Sequence, residues 1–170
     1  METGAADEAV DPFEAIFRDQ FTPMVRLAHL LGSDDAENAA QEALAKLYGR
    51  LRLLKEPEKA VSYLRTCLVN QTRSRHAHLV VVRRYVPPRP DDSESAERTV
   101  LAMADQSTVI AALALLSPRH REALVLRYWL DLSEKQMAES MGTSIGSVKS
   151  HVSRGLSALR AALESTDGEL

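Results

Sequence analysis

The chain has 170 residues, 45% of them hydrophobic, with 21 Lys and Arg against 24 Asp and Glu and a single cysteine. This length fits one ordinary domain or two small ones, and the apolar share is enough to form a buried core. One cysteine excludes an intramolecular disulfide and a cysteine-ligated metal centre. The apolar runs are too short to span a bilayer, and residues 1–10 lack the basic and apolar parts of a secretory signal. We therefore expect no membrane contact and a cytoplasmic protein.

Charge is distributed unevenly along the chain. Residues 1–42 contain ten acids and two bases, whereas residues 61–90 contain six arginines and no acid. Residues 91–106 are acidic again, and residues 143–163 carry three bases and no acid. Two basic segments separated by an acidic one predict two surfaces for a polyanion. For the first segment, a solvated arginine-rich helix face is the alternative.

Apolar residues recur at helical spacing throughout, and no segment alternates as a strand does, so we predict an all-α fold. Phe13–Leu31 is predicted to be helical but interrupted at Pro23, with Thr22 able to cap the second piece. Asp34 and Glu37 have the spacing of a capping box that opens a second helix.

A third helix is predicted to start at Pro57 and to become polar and basic along its length. These helices can form one bundle over residues 11–82. Residues 83–105 contain three prolines and many charged residues, which indicates a flexible linker.

Residues 106–164 are predicted to form a second small helical domain. Ser117 followed by Pro118 marks a helix start, Ser133 caps a short helix that ends before Gly142, and Ser144 caps the last helix. A short helix, a glycine turn and a second helix have the spacing of a helix-turn-helix.

In the last helix, the predicted buried stripe consists of Ile145, Val148, Val152, Leu156, Leu159 and Leu163. With that stripe inward, a set of polar and basic side chains lies on the outer faces, where they can approach a major groove: Ser147, Lys149, Ser150, His151, Ser153 and Arg154. A helical hairpin with a solvated polar face is the alternative interpretation.

Several segments resemble the extracytoplasmic-function sigma factors, the small members of the sigma-70 family. LSPRHREALVLRY (116–128), LSEKQMA (132–138) and MGTSIGSVKSHVSRG (141–155) resemble region 4 of that family, and AENAAQEAL (36–44) and YLRTCLVN (63–70) resemble its region 2. The short, arginine-rich region 2 most resembles the actinobacterial SigE-type subgroup.

The resemblance implies a subunit that binds core RNA polymerase, reads the −35 element of promoter DNA with region 4 and opens the −10 element with region 2. It places Arg127, Lys149, Ser150 and Arg154 at −35-facing positions. It places Asn70 at a flipped −10 base, and we group with it the arginines of the same basic helix, Arg65, Arg73 and Arg75. The core-polymerase surface implied is the exposed face of the second helix, with Asn38, Gln41, Glu42 and Lys46.

Taken alone, Asn70 is also compatible with a helix-surface amide, and Gln41 and Glu42 with ordinary exposed helix residues. Nothing in the sequence has the spacing of a catalytic triad, a phosphate loop or a metal site, so we expect no enzyme, no cofactor and no metal. We expect a monomer when free, with an anti-sigma factor as a possible further partner. The competing function is a two-domain helix-turn-helix regulator that binds an operator without joining polymerase.

Overall fold

The computed structural model describes residues 11–54, 56–85 and 104–167, with side chains over 11–54, 56–79 and 108–165. Every regular element within these ranges is helical, which confirms the all-α prediction. The helices are α1 (Pro12–Leu30), α2 (Ala36–Arg50), α3 (Pro57–Tyr85), α4 (Ala104–Ala114), α5 (Pro118–Leu124), α6 (Glu134–Met141) and α7 (Ile145–Asp167). A 3₁₀ turn, Leu51–Leu53, follows α2, and a π-helical turn, Val125–Trp129, extends α5.

The predicted helix boundaries at Ser117, Ser133 and Gly142 agree with the structure. The Ser117 side chain accepts from the backbone of His120, with Pro118 in the first turn of α5. Ser133 and Gln136 form a reciprocal capping box at α6, and Gly142 ends that helix with φ 61°. Each of these boundaries depends on residues within one turn of it, so local sequence was sufficient to locate them.

Two predicted features of α1 and α2 are wrong. The α1 helix continues through Pro23, which lies on its exposed side, so Thr22 caps nothing. An exposed position allows water to satisfy the carbonyl that proline leaves without a donor. At α2 the cap is Asp35 rather than Asp34, and its carboxylate accepts from Asn38 N at 3.1 Å.

The inward face of α7 also differs from the prediction. Val148 is fully buried, but Ile145 and Leu156 are 44% and 41% exposed. Gly155 and Ala162 are buried instead. The side of α7 that faces the core is therefore rotated about the helix axis relative to the predicted stripe, because Gly155 allows α7 to approach α5 closely.

The predicted linker, residues 83–105, lies mostly outside the described residues. At its two ends, α3 extends to Tyr85 and α4 begins at Ala104. We call α1 to α3 the first unit and α4 to α7 the second unit.

The two units pack against each other. Buried residues of the first unit, including Leu27, Leu47 and Leu64, belong to the same apolar cluster as Leu126 and Met137 of the second unit. Helix α3 contacts both α5 and α6. The arrangement of the two units, which sequence patterns left open, is thus a packed one.

Candidate nucleic-acid and polymerase interfaces

The helix-turn-helix is formed by α6, Gly142 and α7. Met137, Met141 and Val148 are completely buried between these helices and the rest of the core. At the turn, Thr143 N donates to the Ala138 carbonyl at 3.0 Å. These contacts fix the direction in which α7 leaves the turn, so its outer face has a defined orientation.

Three of the predicted −35 residues, Lys149, Ser153 and Arg154, are exposed on α7. Lys149 Nζ lies 3.5 Å from a carboxylate oxygen of Glu134, an exposed pair that water and salt weaken. Ser147 is half-buried, its backbone N–H donating to Ser144 Oγ at 3.1 Å, and Ser150 is half-buried as well. The exposed group presents two cations and a hydroxyl, a set suited to phosphate and base-edge contacts.

His151 and Arg127 are placed differently from that group. His151 is half-buried and its ring centroid lies 5.9 Å from that of His120, so it faces α5 rather than outward as predicted. Burial lowers the pKa of His151, and the positive charge of Arg119 lowers it further. Arg127 is exposed and donates to the Leu132 carbonyl at 3.3 Å, which ties the loop before α6 to the end of α5.

The predicted −10 residues lie along α3, and among them only Asn70 is exposed. Its side-chain oxygen accepts from Arg73 at 3.3 Å. Arg73 also pairs with Glu122 of α5 at 2.5 Å, and Arg75 pairs with Glu42 of α2 at 2.8 Å. Arg65 is half-buried, and its Nε finds no hydrogen-bond partner among the described residues.

The predicted polymerase-docking residues lie on α2. Gln41 and Lys46 are exposed, and Asn38 donates to Glu42 at 3.0 Å. Glu42 is also bound by the side chains of Gln71 and Arg75, both on α3. Glu42 therefore holds α2 and α3 together and is less available to a partner than its neighbours.

The polar contacts between the two units were not predicted from the sequence. They involve Arg121 and Glu122 on α5 and Arg73 on α3. The α5 residues were recognised only as part of a family motif, and no local pattern distinguishes them from solvated charges. Their partners lie 49 to 92 positions away along the chain, beyond the reach of any periodicity.

No group of three or more His, Cys, Asp or Glu within the described ranges could hold a metal ion. Cys67 is a half-buried free thiol beside Tyr63, and their hydrogen bond raises the pKa of the Tyr63 hydroxyl.

None of the helices in the part of the chain that the structure describes is long and apolar enough to cross a membrane.

Known proteins that are similar to this chain align with nearly its whole length. Residues 107–159 match the family described as Sigma-70, region 4. The RNA polymerase sigma-E factors of Streptomyces antibioticus and Streptomyces coelicolor are each 32% identical over 161 residues, which cover 91% of this chain and 86% and 88% of those proteins. The sigma factor RpoE of Bartonella quintana, solved in complex with the anti-sigma factor NepR, superposes with a TM-score of 0.69 at 25% identity, over 89% of this chain and 96% of that one.

Proposed function

The chain belongs to the extracytoplasmic-function RNA polymerase sigma factors of the sigma-70 family, and we propose that its two helical units divide promoter recognition between them. It binds core RNA polymerase and directs transcription initiation at promoter DNA. The observation that carries this function is the 32% identity over 161 residues that include both units.

The −35 element is assigned to residues 106–164, which lie within the second unit. This assignment is supported by the outer face of α7. Lys149, Ser153 and Arg154 are exposed there, on a helix whose other side packs into the core. Ser147, Ser150 and Arg127 lie near its edges, and His151 is the weakest member because it faces α5. A helix held in this way can enter a major groove without losing its own packing.

The −10 element and the polymerase contact are assigned to residues 11–82, in the first unit, with residues 83–105 as the connection. Asn70 is exposed on α3, where its amide can bond an extruded base, and Arg65, Arg73 and Arg75 supply positive charge for the strand. On α2, Gln41 and Lys46 form the accessible part of the docking surface, with Asn38 and Glu42 beside them.

The decisive experiment is transcription in vitro with purified core polymerase on a library of genomic fragments. Discrete transcripts that appear only when this chain is added identify both the function and the promoter. Gel filtration of the chain with core polymerase should show comigration. A chain that stays separate from polymerase, yet binds duplex DNA tightly at high salt, would instead be an operator-binding regulator.

The same function carries further expectations. The protein acts in the cytoplasm, where polymerase is, and has no catalytic activity of its own. The RpoE neighbour was solved with an anti-sigma factor, which supports a protein inhibitor of that class as a partner here. Without a partner we expect a monomer.

A further inference from the structure

One carboxylate on α2 is bound by three other side chains. Glu42 accepts hydrogen bonds from Asn38 at 3.0 Å and from Arg75 at 2.8 Å through one oxygen, and from Gln71 through the other. Asn38 lies on α2 itself, whereas Gln71 and Arg75 lie four residues apart on α3. Residues at this spacing share one face of a helix, so a single side chain of α2 binds one face of α3.

The contact with Gln71 is the buried one. Gln71 is 7% exposed; its side-chain nitrogen donates to Glu42, and its side-chain oxygen has no partner among the described residues. The Arg75 pair is more open, with 35% and 44% of the two side chains exposed, so water weakens it. Without Glu42, neither polar atom of the buried Gln71 amide would have a partner. Because an unpaired buried amide is costly, this loss would favour a rotation of α3 that brings Gln71 to water.

The inward position of Gln71 also determines the direction of Asn70. Successive side chains of an α-helix point about 100° apart. Val69 and Gln71, the residues on either side of Asn70, are both buried, and Asn70 is exposed on the narrow side of α3 that remains. A rotation of α3 that exposes Gln71 would therefore turn Asn70 away from its present direction.

We propose that Glu42 is a positioning residue for the opening of the −10 element. Its hydrogen bond from Gln71 sets the rotation of α3 that directs Asn70 toward the extruded base. This inference rests on the proposed −10 function of Asn70. It also separates Glu42 from its neighbour Gln41, which is exposed and, in the part of the chain that the structure describes, has no hydrogen bond to α3. Gln41 acts in polymerase binding, and Glu42 acts in the opening step that follows.

The first test separates polymerase binding from strand opening. Affinity for core polymerase is measured by titration. Transcription is then measured with polymerase saturated by each variant, on the duplex promoter and on the same promoter with a pre-melted −10 bubble.

Glu42→Ala should bind polymerase within about twofold of wild type but transcribe the duplex about tenfold less well, because an unpaired buried amide costs on the order of a factor of ten. Transcription should recover on the bubble, where no base has to be extruded. Gln41→Ala should weaken polymerase binding and transcribe both templates normally at saturation. Weaker polymerase binding with normal opening in Glu42→Ala would overturn the proposal and indicate that Glu42 contacts polymerase.

The second test uses the buried partner of Glu42. Methionine at position 71 has a shape close to that of glutamine but no amide that needs a partner, so Gln71→Met should stay buried and open the duplex normally. In the double variant Glu42→Ala with Gln71→Met, the opening defect should largely disappear, because removing both partners of a buried hydrogen bond is nearly neutral. A buried residue cannot replace a contact with polymerase or DNA. A double variant as poor as Glu42→Ala would therefore overturn the positioning role.

Loss of fold gives a different pattern, because a misfolded chain fails to bind polymerase and fails on both templates. Glu42→Gln is the milder variant: it keeps an oxygen for Gln71 but loses the charge that binds Arg75, so a smaller opening defect is expected. It replaces Glu42→Ala in both tests if circular dichroism shows that the alanine variant has lost helix content.

Asn70→Ala distinguishes failure of this proposal from failure of the function on which it rests. Normal opening of the duplex by Asn70→Ala would show that the −10 assignment itself is wrong. Impaired opening by Asn70→Ala together with normal opening by Glu42→Ala would overturn the positioning role alone.

Discussion

Gly155 of α7 lies directly against Leu124 of α5. A Cβ built on Gly155 would be 3.1 Å from Leu124 Cγ and 3.2 Å from the His120 carbonyl oxygen. Glycine in the middle of a helix costs about 0.5–1 kcal/mol relative to alanine, so this position sacrifices helix stability for a close crossing. The crossing orients the helix that carries Lys149 and Arg154.

The first prediction concerns that crossing. Gly155→Ala should lower the free energy of unfolding by about 1–3 kcal/mol, because the added methyl meets backbone as well as side chain. Gly49→Ala is the matched control, since nothing lies within 4 Å of its Cβ, and it should raise stability by about 0.5–1 kcal/mol. Urea unfolding of both variants measures the difference. Equal stabilisation by both alanines would show that α5 and α7 are not tightly packed.

The second prediction concerns pH. Burial, with Arg119, His120 and Arg154 nearby, lowers the pKa of His151 below its ordinary 6.5, and Glu122 opposes this only in part. The folded protein therefore favours neutral His151, and this contribution is full above pH 6.5 and declines as pH falls toward the lowered folded value. His151→Gln should lose less stability than wild type between pH 7 and pH 5 in thermal unfolding. Parallel pH profiles would contradict the lowered pKa.

The third prediction concerns the outer face of α7. If Arg154 reads a base edge, Arg154→Ala should weaken binding of the polymerase complex to the −35 element of the identified promoter by about 1–3 kcal/mol. The control is Arg160→Ala, an exposed arginine further along the same helix. Competition between promoter and scrambled −35 duplexes measures the loss of discrimination. Similar losses of binding affinity for both duplexes would indicate that Arg154 contacts phosphate rather than a base edge.

The fourth prediction concerns Asn70. Because extruding a base costs a few kcal/mol that its pocket must offset, Asn70→Ala should leave closed-complex binding nearly intact and impair strand opening. A template with a pre-melted −10 bubble should restore transcription by Asn70→Ala much more than by Arg154→Ala. Ser74→Ala, an exposed neighbour on α3, is the control. Equal rescue of the Asn70 and Arg154 variants would indicate that Asn70 is a helix-surface amide with no role in strand opening.

Asn70 also accepts a hydrogen bond from Arg73, so its removal can disturb that arginine. The double variant Asn70→Ala with Arg73→Ala separates the two effects. If Asn70 acts only by positioning Arg73, the double variant should open the promoter no worse than Arg73→Ala alone.

Local chemistry in the sequence determined where most helices begin and end. Ser117, Ser133 and Gly142 mark boundaries because a cap or a left-handed turn involves only residues within one helical turn. The helical spacing of apolar residues predicted the all-α fold, and the caps with the glycine turn predicted the helix-turn-helix. The sequence motifs identified the family. Only tertiary structure decided the rotation of α7 and the inward position of His151, because both depend on how closely Gly155 lets two helices approach.

Tertiary structure alone also decided how the two units meet. Arg121 reaches carbonyls 91 and 92 positions earlier in the chain, and Glu122 reaches an arginine 49 positions earlier. In the sequence these residues look like any charged residues of a helix, since charge and propensity are the same for a solvated side chain and a buried one. Their partners are set by the packing of the whole core, which no local pattern encodes.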